Sequence, residues 1–113
     1  MDKDKTVYLR FIEDSFRKIS EYIGSMSFEE FSKDQKTQSA VLMQIHIIGE
    51  MAKRVPEDMK AQINIPWKDV MGFRDMISHE YFGLDIKLIW ETATESVPQA
   101  ENEVKKYLQS LQA

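Results

Sequence analysis

The chain has 113 residues, no cysteine, and 15 Lys and Arg against 19 Asp and Glu, a formal net charge of −4. No disulfide framework or thiolate metal centre can form, and the Lys and Arg excess that marks most dedicated nucleic-acid binders is absent. Any nucleic acid must therefore be held by a local site. The length suits one domain over residues 1–113, and only four glycines and three prolines beside 30% charged residues predict an all-α fold. The N-terminus, Met1-Asp2-Lys3-Asp4-Lys5, carries both signs of charge, and the longest purely apolar run is Ala40 to Met43. Neither a signal peptide nor a membrane span is predicted, so the expected location is cytoplasmic.

A first helix is predicted from near Asp4 or Thr6, either able to cap it. Tyr8, Phe11, Ile12, Ser15, Phe16, Ile19, Tyr22 and Ile23 follow at the three and four spacing of one amphipathic face. Gly24 should end it. Ser27-Phe28-Glu29-Glu30 has the form of a capping box and predicts a short helical turn that exposes or docks Phe28 and Phe31. A second long helix is expected from Asp34 to Val55, stopped by Pro56. Its main stripe is Val41, Ile45, Ile48, Ala52 and Val55, widened by Leu42, Met43, Ile47 and Met51. Such a helix belongs at the centre of the fold or against a partner chain.

The segment from Lys60 to Ile65 has weak periodicity and reads as a turn or short helix. Pro66 suits the first position of a third helix that buries Trp67, Val70, Phe73, Met76 and Ile77. After Phe82-Gly83, Asp85 can cap a fourth helix carrying Ile86, Ile89, Trp90, Ala93, Val97, Val104, Tyr107, Leu108 and Leu111, with Pro98 kinking or interrupting it. The expected architecture is an antiparallel, up-and-down four-helix bundle with short accessory helices.

The chemistry is concentrated in Phe73 to Asp85, which reads FRDMISHEYFGLD. Arg74 and Tyr81 are seven apart and share nearly one helix face, whereas His79, five from Arg74, points about 140° away on an ideal helix. A structural account is open: His79 complements the dipole at a helix end, Arg74 makes a surface ion pair, and Tyr81 fills a boundary position. His46 and Glu50, four apart, read as an ordinary helix-surface pair. Neither histidine has the Glu three residues before it that bundle carboxylate metal sites use, so no metal and no cofactor is expected.

The spacing Arg74-x4-His79-x-Tyr81 resembles the signature of HepT-like toxins, members of the HEPN superfamily. The block Ile47-Ile48-Gly49-Glu50-Met51-Ala52-Lys53-Arg54 is similar to that family's second helix. Ile65-Pro66-Trp67 is similar to its entry into the motif helix, and Tyr81-Phe82-Gly83-Leu84-Asp85 with Trp90-Glu91-Thr92 to its exit. The resemblance implies a HEPN-like bundle and a metal-independent endoribonuclease that uses the 2′-hydroxyl of RNA as nucleophile and leaves a 2′,3′-cyclic phosphate. Arg74 and His79 would be catalytic, with Asp75 and Glu50 in support. It further implies a homodimer with the two motif helices facing each other across a cleft. An MntA-like minimal nucleotidyltransferase antitoxin would silence the enzyme by transferring AMP to Tyr81. Two positions depart from the family pattern: Asp75 stands where asparagine is frequent, and Met43-Gln44 where more polar residues, often including arginine, are expected. A carboxylate at 75 could pair with Arg74 or repel phosphate. The alternative is a non-catalytic nucleotide-binding or regulatory partner of the nucleotidyltransferase, and the plainest possibility is a purely structural helical dimer.

Overall fold

A computed structural model of the chain describes residues 5–80 and 83–112. Among them all regular structure is helical, in accord with the low Gly and Pro content: α1 (Val7–Ile23), α2 (Phe28–Ser32), α3 (Gln35–Ala52), α4 (Glu57–Lys60), α5 (Trp67–Glu80), α6 (Ile86–Glu91) and α7 (Val97–Ser110), with a π-helical turn over Thr92–Ser96 joining the last two.

Local chemistry sets most boundaries. Gly24 ends α1 at φ +53°, a conformation that costs a residue without Cβ little, and its N–H donates to the Ser20 carbonyl. Ser27 and Glu30 form the expected reciprocal box: the Ser27 hydroxyl accepts from the Glu30 amide at 3.1 Å and the Glu30 carboxylate from the Ser27 amide at 2.8 Å. Asp34 caps α3 through the Thr37 amide at 3.0 Å, and Asp85 caps α6 through the Lys87 amide at 2.9 Å. Three boundaries differ from expectation. Thr6 occupies the N-cap position of α1 without capping it, because its hydroxyl accepts from Arg10 Nε instead. Asp4 lies outside the described residues. The second long helix stops at Ala52, three residues early, and Val55 packs from the following turn. Pro66 sits one residue before α5, its carbonyl accepting the first helical bond from Val70.

Helix α3 is central, packing on α1, α2, α5 and α6, while α7 packs on α1. Its stripe Val41, Ile45, Ile48, Ala52 and Val55 is buried as read from the sequence. Leu9, missed by the face assigned to α1, is completely buried, whereas Phe11 and Tyr22 of that face are exposed. In α5 only Ile77 of the expected five is fully buried; Trp67, Val70, Phe73 and Met76 are half-buried, because among the described helices this one packs chiefly on α3. Between α5 and the α6–α7 run lies an apolar cavity of about 200 Å³, walled by residues such as Ile12, Phe16, Phe73 and Val97.

Two further details fix α5 and α6. The Trp67 indole N–H reaches the carbonyls of Lys60 and Ile63, each at 3.2 Å, tying the start of α5 to the turn after α4. Phe31 is completely buried with its ring 5.3 Å from that of Trp90, so α2 docks on α6. Pro98 lies in the first turn of α7, and the π-turn immediately precedes it. A proline ring clashes with the carbonyl four residues back, and the wider turn accommodates it.

Two consequences are measurable. Ser27→Ala removes one half of the box and should cost about 1 kcal/mol in urea unfolding, with unchanged helical content. The Asp34 carboxylate, held below its ordinary value of 3.8 chiefly by the Thr37 amide and hydroxyl, contributes stability that is fully present above that value and lost as pH falls through its lowered folded value. Asn caps as well as Asp but does not titrate there. Asp34→Asn should therefore flatten the fall in stability below about pH 4.

Candidate active site

The site is built where α5 crosses α3. Gly49 lies in the interior of α3, where glycine costs about 1 kcal/mol relative to alanine. The reason is on the opposite helix: a Cβ at position 49 would stand 2.2 Å from Arg74 Cβ and 2.7 Å from its Cγ. The two backbones can approach only because that atom is missing. Arg74 is thereby laid along the seam with its side chain 22% exposed.

Once there, its guanidinium is gripped from two sides. Nε abuts Glu50 Oε2 on α3, and Nη1 donates to Asp75 Oδ1 at 3.1 Å. Lys53, at the end of α3, brings Nζ to 3.5 Å from the same Asp75 oxygen and 3.9 Å from Glu50 Oε2. Two cations and two anions thus form one network across the helix pair. The Arg74 hydrogen bond, aided by the charge of Lys53, holds the Asp75 carboxyl below the ordinary carboxylate value, so it is ionised at neutral pH.

His79 follows five residues later on the same unbroken helix and is exposed. An α-helix turns about 100° and rises about 1.5 Å per residue, so His79 emerges roughly 140° around and 7.5 Å along from Arg74. One chain does not bring the two side chains together. Tyr81, the third residue of the motif, lies outside the described residues. Glu50 is engaged by Arg74 of α5 and by Lys53 three residues on, rather than by half-buried His46, so the expected His46–Glu50 pair is replaced by one contact between helices and one at the end of α3. At the other departure from the family pattern, Met43 is exposed and Gln44 is buried, its Oε1 without a hydrogen-bond partner among the described residues.

Two residues of this site, Gly49 and Lys53, have no individual role that spacing along the chain assigns. Gly49 carried a signal, since a glycine inside an otherwise apolar helix calls for a packing reason. Lys53 carried none, because its partner is on another helix.

An all-helical fold with Arg-x4-His on one helix, and the arginine anchored by a glutamate of the central helix α3, is that of a HEPN-type domain. Consistent with this, a family profile described as Ribonuclease HepT-like matches residues 12–107. The chain belongs to the HepT-like ribonuclease family. It is similar to a protein of Thermococcus cleftensis named "Probable ribonuclease HepT", with 36% identity over 107 residues that cover 94% of this chain and 97% of the relative. Two further relatives carry provisional RNase names. One, from Caldanaerobacter subterraneus subsp. tengcongensis, is 37% identical over 103 residues, 90% of this chain and 92% of its own length. The other, from Methanocaldococcus jannaschii, is 33% identical over 111 residues, 97% and 92% respectively. No solved structure gives a significant match.

Proposed function

We propose that this protein is a metal-independent endoribonuclease toxin of the cytoplasm, acting as a homodimer. The observation that carries this reading is the pairing of a guanidinium fixed at the α3–α5 seam with an exposed imidazole on the same helix, inside a HepT-like frame. In the reaction, the RNA 2′-hydroxyl loses its proton to an imidazole and attacks the adjacent phosphorus. The bond to the 5′-oxygen breaks, that oxygen takes up a proton, and a 2′,3′-cyclic phosphate remains. An imidazole can both accept and release a proton near neutral pH, which suits the side chain of His79 to the two proton transfers. The Arg74 guanidinium offers a planar fork to the phosphate oxygens as charge builds in the transition state. Glu50 orients that fork from Nε, and Asp75 pairs with Nη1 until a phosphate takes its place. A second protomer would bring another Arg74 and His79 across a shared cleft, overcoming their divergence on one helix and supplying the local positive charge that the acidic chain lacks.

Control falls to Tyr81. Transfer of AMP to its phenol by an MntA-like nucleotidyltransferase antitoxin would place bulk and negative charge where substrate phosphate must sit, and so silence the nuclease. The deciding experiment is digestion of total RNA by unmodified protein with a metal chelator present. Cyclic-phosphate ends from the wild type, absent with His79→Ala and Arg74→Ala, are the expected result. Equal silence of all three, with intact mass confirming an unmodified Tyr81, would overturn the nuclease in favour of a non-catalytic nucleotide-binding partner. One observation favours that second reading: Asp75 already occupies Nη1 of Arg74.

A further inference from the structure

The Asp75 carboxylate does more than neutralise Arg74. A single oxygen, Oδ1, receives Arg74 Nη1 at 3.1 Å and stands 3.5 Å from Lys53 Nζ. The two cations reach it from different helices, Lys53 from the end of α3 and Arg74 from the middle of α5, and both converge on the place of one anionic oxygen. Convergence of a point charge and a planar fork on one oxygen is the geometry in which proteins hold a phosphate oxygen.

We propose that Lys53 and Arg74 together form a phosphate subsite and that Asp75 is its internal occupant, displaced when a phosphate group binds. The proposal rests on Arg74 being a phosphate ligand, as inferred above, and adds to it a second cation and a built-in competitor. The local charge decides the behaviour. By formal charge the cluster of Glu50, Lys53, Arg74 and Asp75 sums to zero, so an incoming anion meets no net attraction until Asp75 moves. Glu50 abuts Nε and Asp75 takes only Nη1, so displacement of Asp75 opens the terminal nitrogens without disturbing the anchor of Arg74. Asp75 is half exposed, with a side-chain accessibility of 52%, and can swing into water at little packing cost. Lys53 is 42% exposed and can follow a ligand. Because Asp75 is ionised at neutral pH, the gate opens by competition rather than by protonation.

The test is titration of inorganic phosphate and of a DNA dinucleotide, which lacks the 2′-hydroxyl and cannot be cleaved, into the full chain, followed by NMR or calorimetry. Asp75→Asn should bind at least about tenfold more tightly than wild type, the scale of one charge-assisted hydrogen bond released to a ligand. Adding Lys53→Gln should abolish that gain and adding Lys53→Arg should retain it. Preference for the dinucleotide would assign the subsite to the nucleic-acid backbone, and preference for inorganic phosphate to a free phosphate or a terminal one. Equal affinity of Asp75→Asn with and without Lys53→Gln, or no gain in Asp75→Asn at all, overturns the proposal. Both positions are exposed, and helical content checks that each variant folds. The outcome is separable from the nuclease reading. Lys53-dependent phosphate binding without RNA cleavage would leave the subsite standing and remove the nuclease, whereas His79-dependent cleavage with no Lys53-dependent binding would do the reverse.

Discussion

His79→Ala is expected to reduce RNA cleavage by about 100-fold or more, the usual contribution of a positioned general acid or base, while leaving the thermal midpoint within error. The second half of that expectation comes from the structure: the His79 side chain is exposed, with no hydrogen bond or ion pair among the described residues, so its removal costs the fold almost nothing. Arg74→Lys should be as damaging to cleavage for a different reason. Lysine keeps the charge but has one nitrogen in place of a fork, and cannot meet Glu50 and a phosphate in the same plane. If His79→Ala cleaves at the wild-type rate, the imidazole is not the proton carrier and the proposed chemistry falls. If Arg74→Lys alone is tolerated, only a point charge is needed at that position. Heterodimers of one His79→Ala and one Arg74→Ala protomer add a test of the shared cleft, since they restore one complete set of groups when catalysis runs across two chains.

Gly49→Ala is expected to be the most damaging small substitution outside the motif itself. On an isolated helix it would stabilise by about 1 kcal/mol. Here the new methyl carbon would stand 2.2 Å from Arg74 Cβ, far inside any tolerated contact. The clash is with the root of the side chain rather than its flexible end, so α5 must move away from α3 or Arg74 must leave the seam. Overpacking of this kind costs roughly 1–3 kcal/mol. A net loss of stability is expected in chemical denaturation, together with a loss of cleavage approaching that of Arg74→Ala, because the guanidinium would be lifted from Glu50. A Gly49→Ala protein more stable than wild type would show that the two helices can separate freely, and that the seam does not position Arg74.

These two residues illustrate how differently a site can be written in a chain. Arg74 and His79 were legible from their spacing and from the likeness of the surrounding blocks to one family, since a motif with its frame is a one-dimensional object. The cap at Asp34, the box at Ser27 and Glu30, the stop at Gly24 and the start at Asp85 were legible for a related reason. Each is satisfied within about four residues, so local composition nearly determines it. The stripe of α3 was readable because 3.6-residue periodicity survives whatever covers it.

Sequence alone was thus enough to read an all-helical chain of the HepT-like family and its main elements, and to nominate Arg74 and His79 for the proposed chemistry. The tertiary structure alone decided what those residues meet. That α5 leans on α3 and leaves Trp67, Val70 and Phe73 only half-buried depends on which neighbours cover it. That Gly49 admits Arg74, that Glu50 turns to Arg74 rather than His46, and that Lys53 and Arg74 share one oxygen of Asp75 all depend on a helix crossing that joins residues more than 20 positions apart in the chain. Helical periodicity says which face a side chain occupies; only packing brings a particular partner within the few ångströms over which charges and hydrogen bonds act.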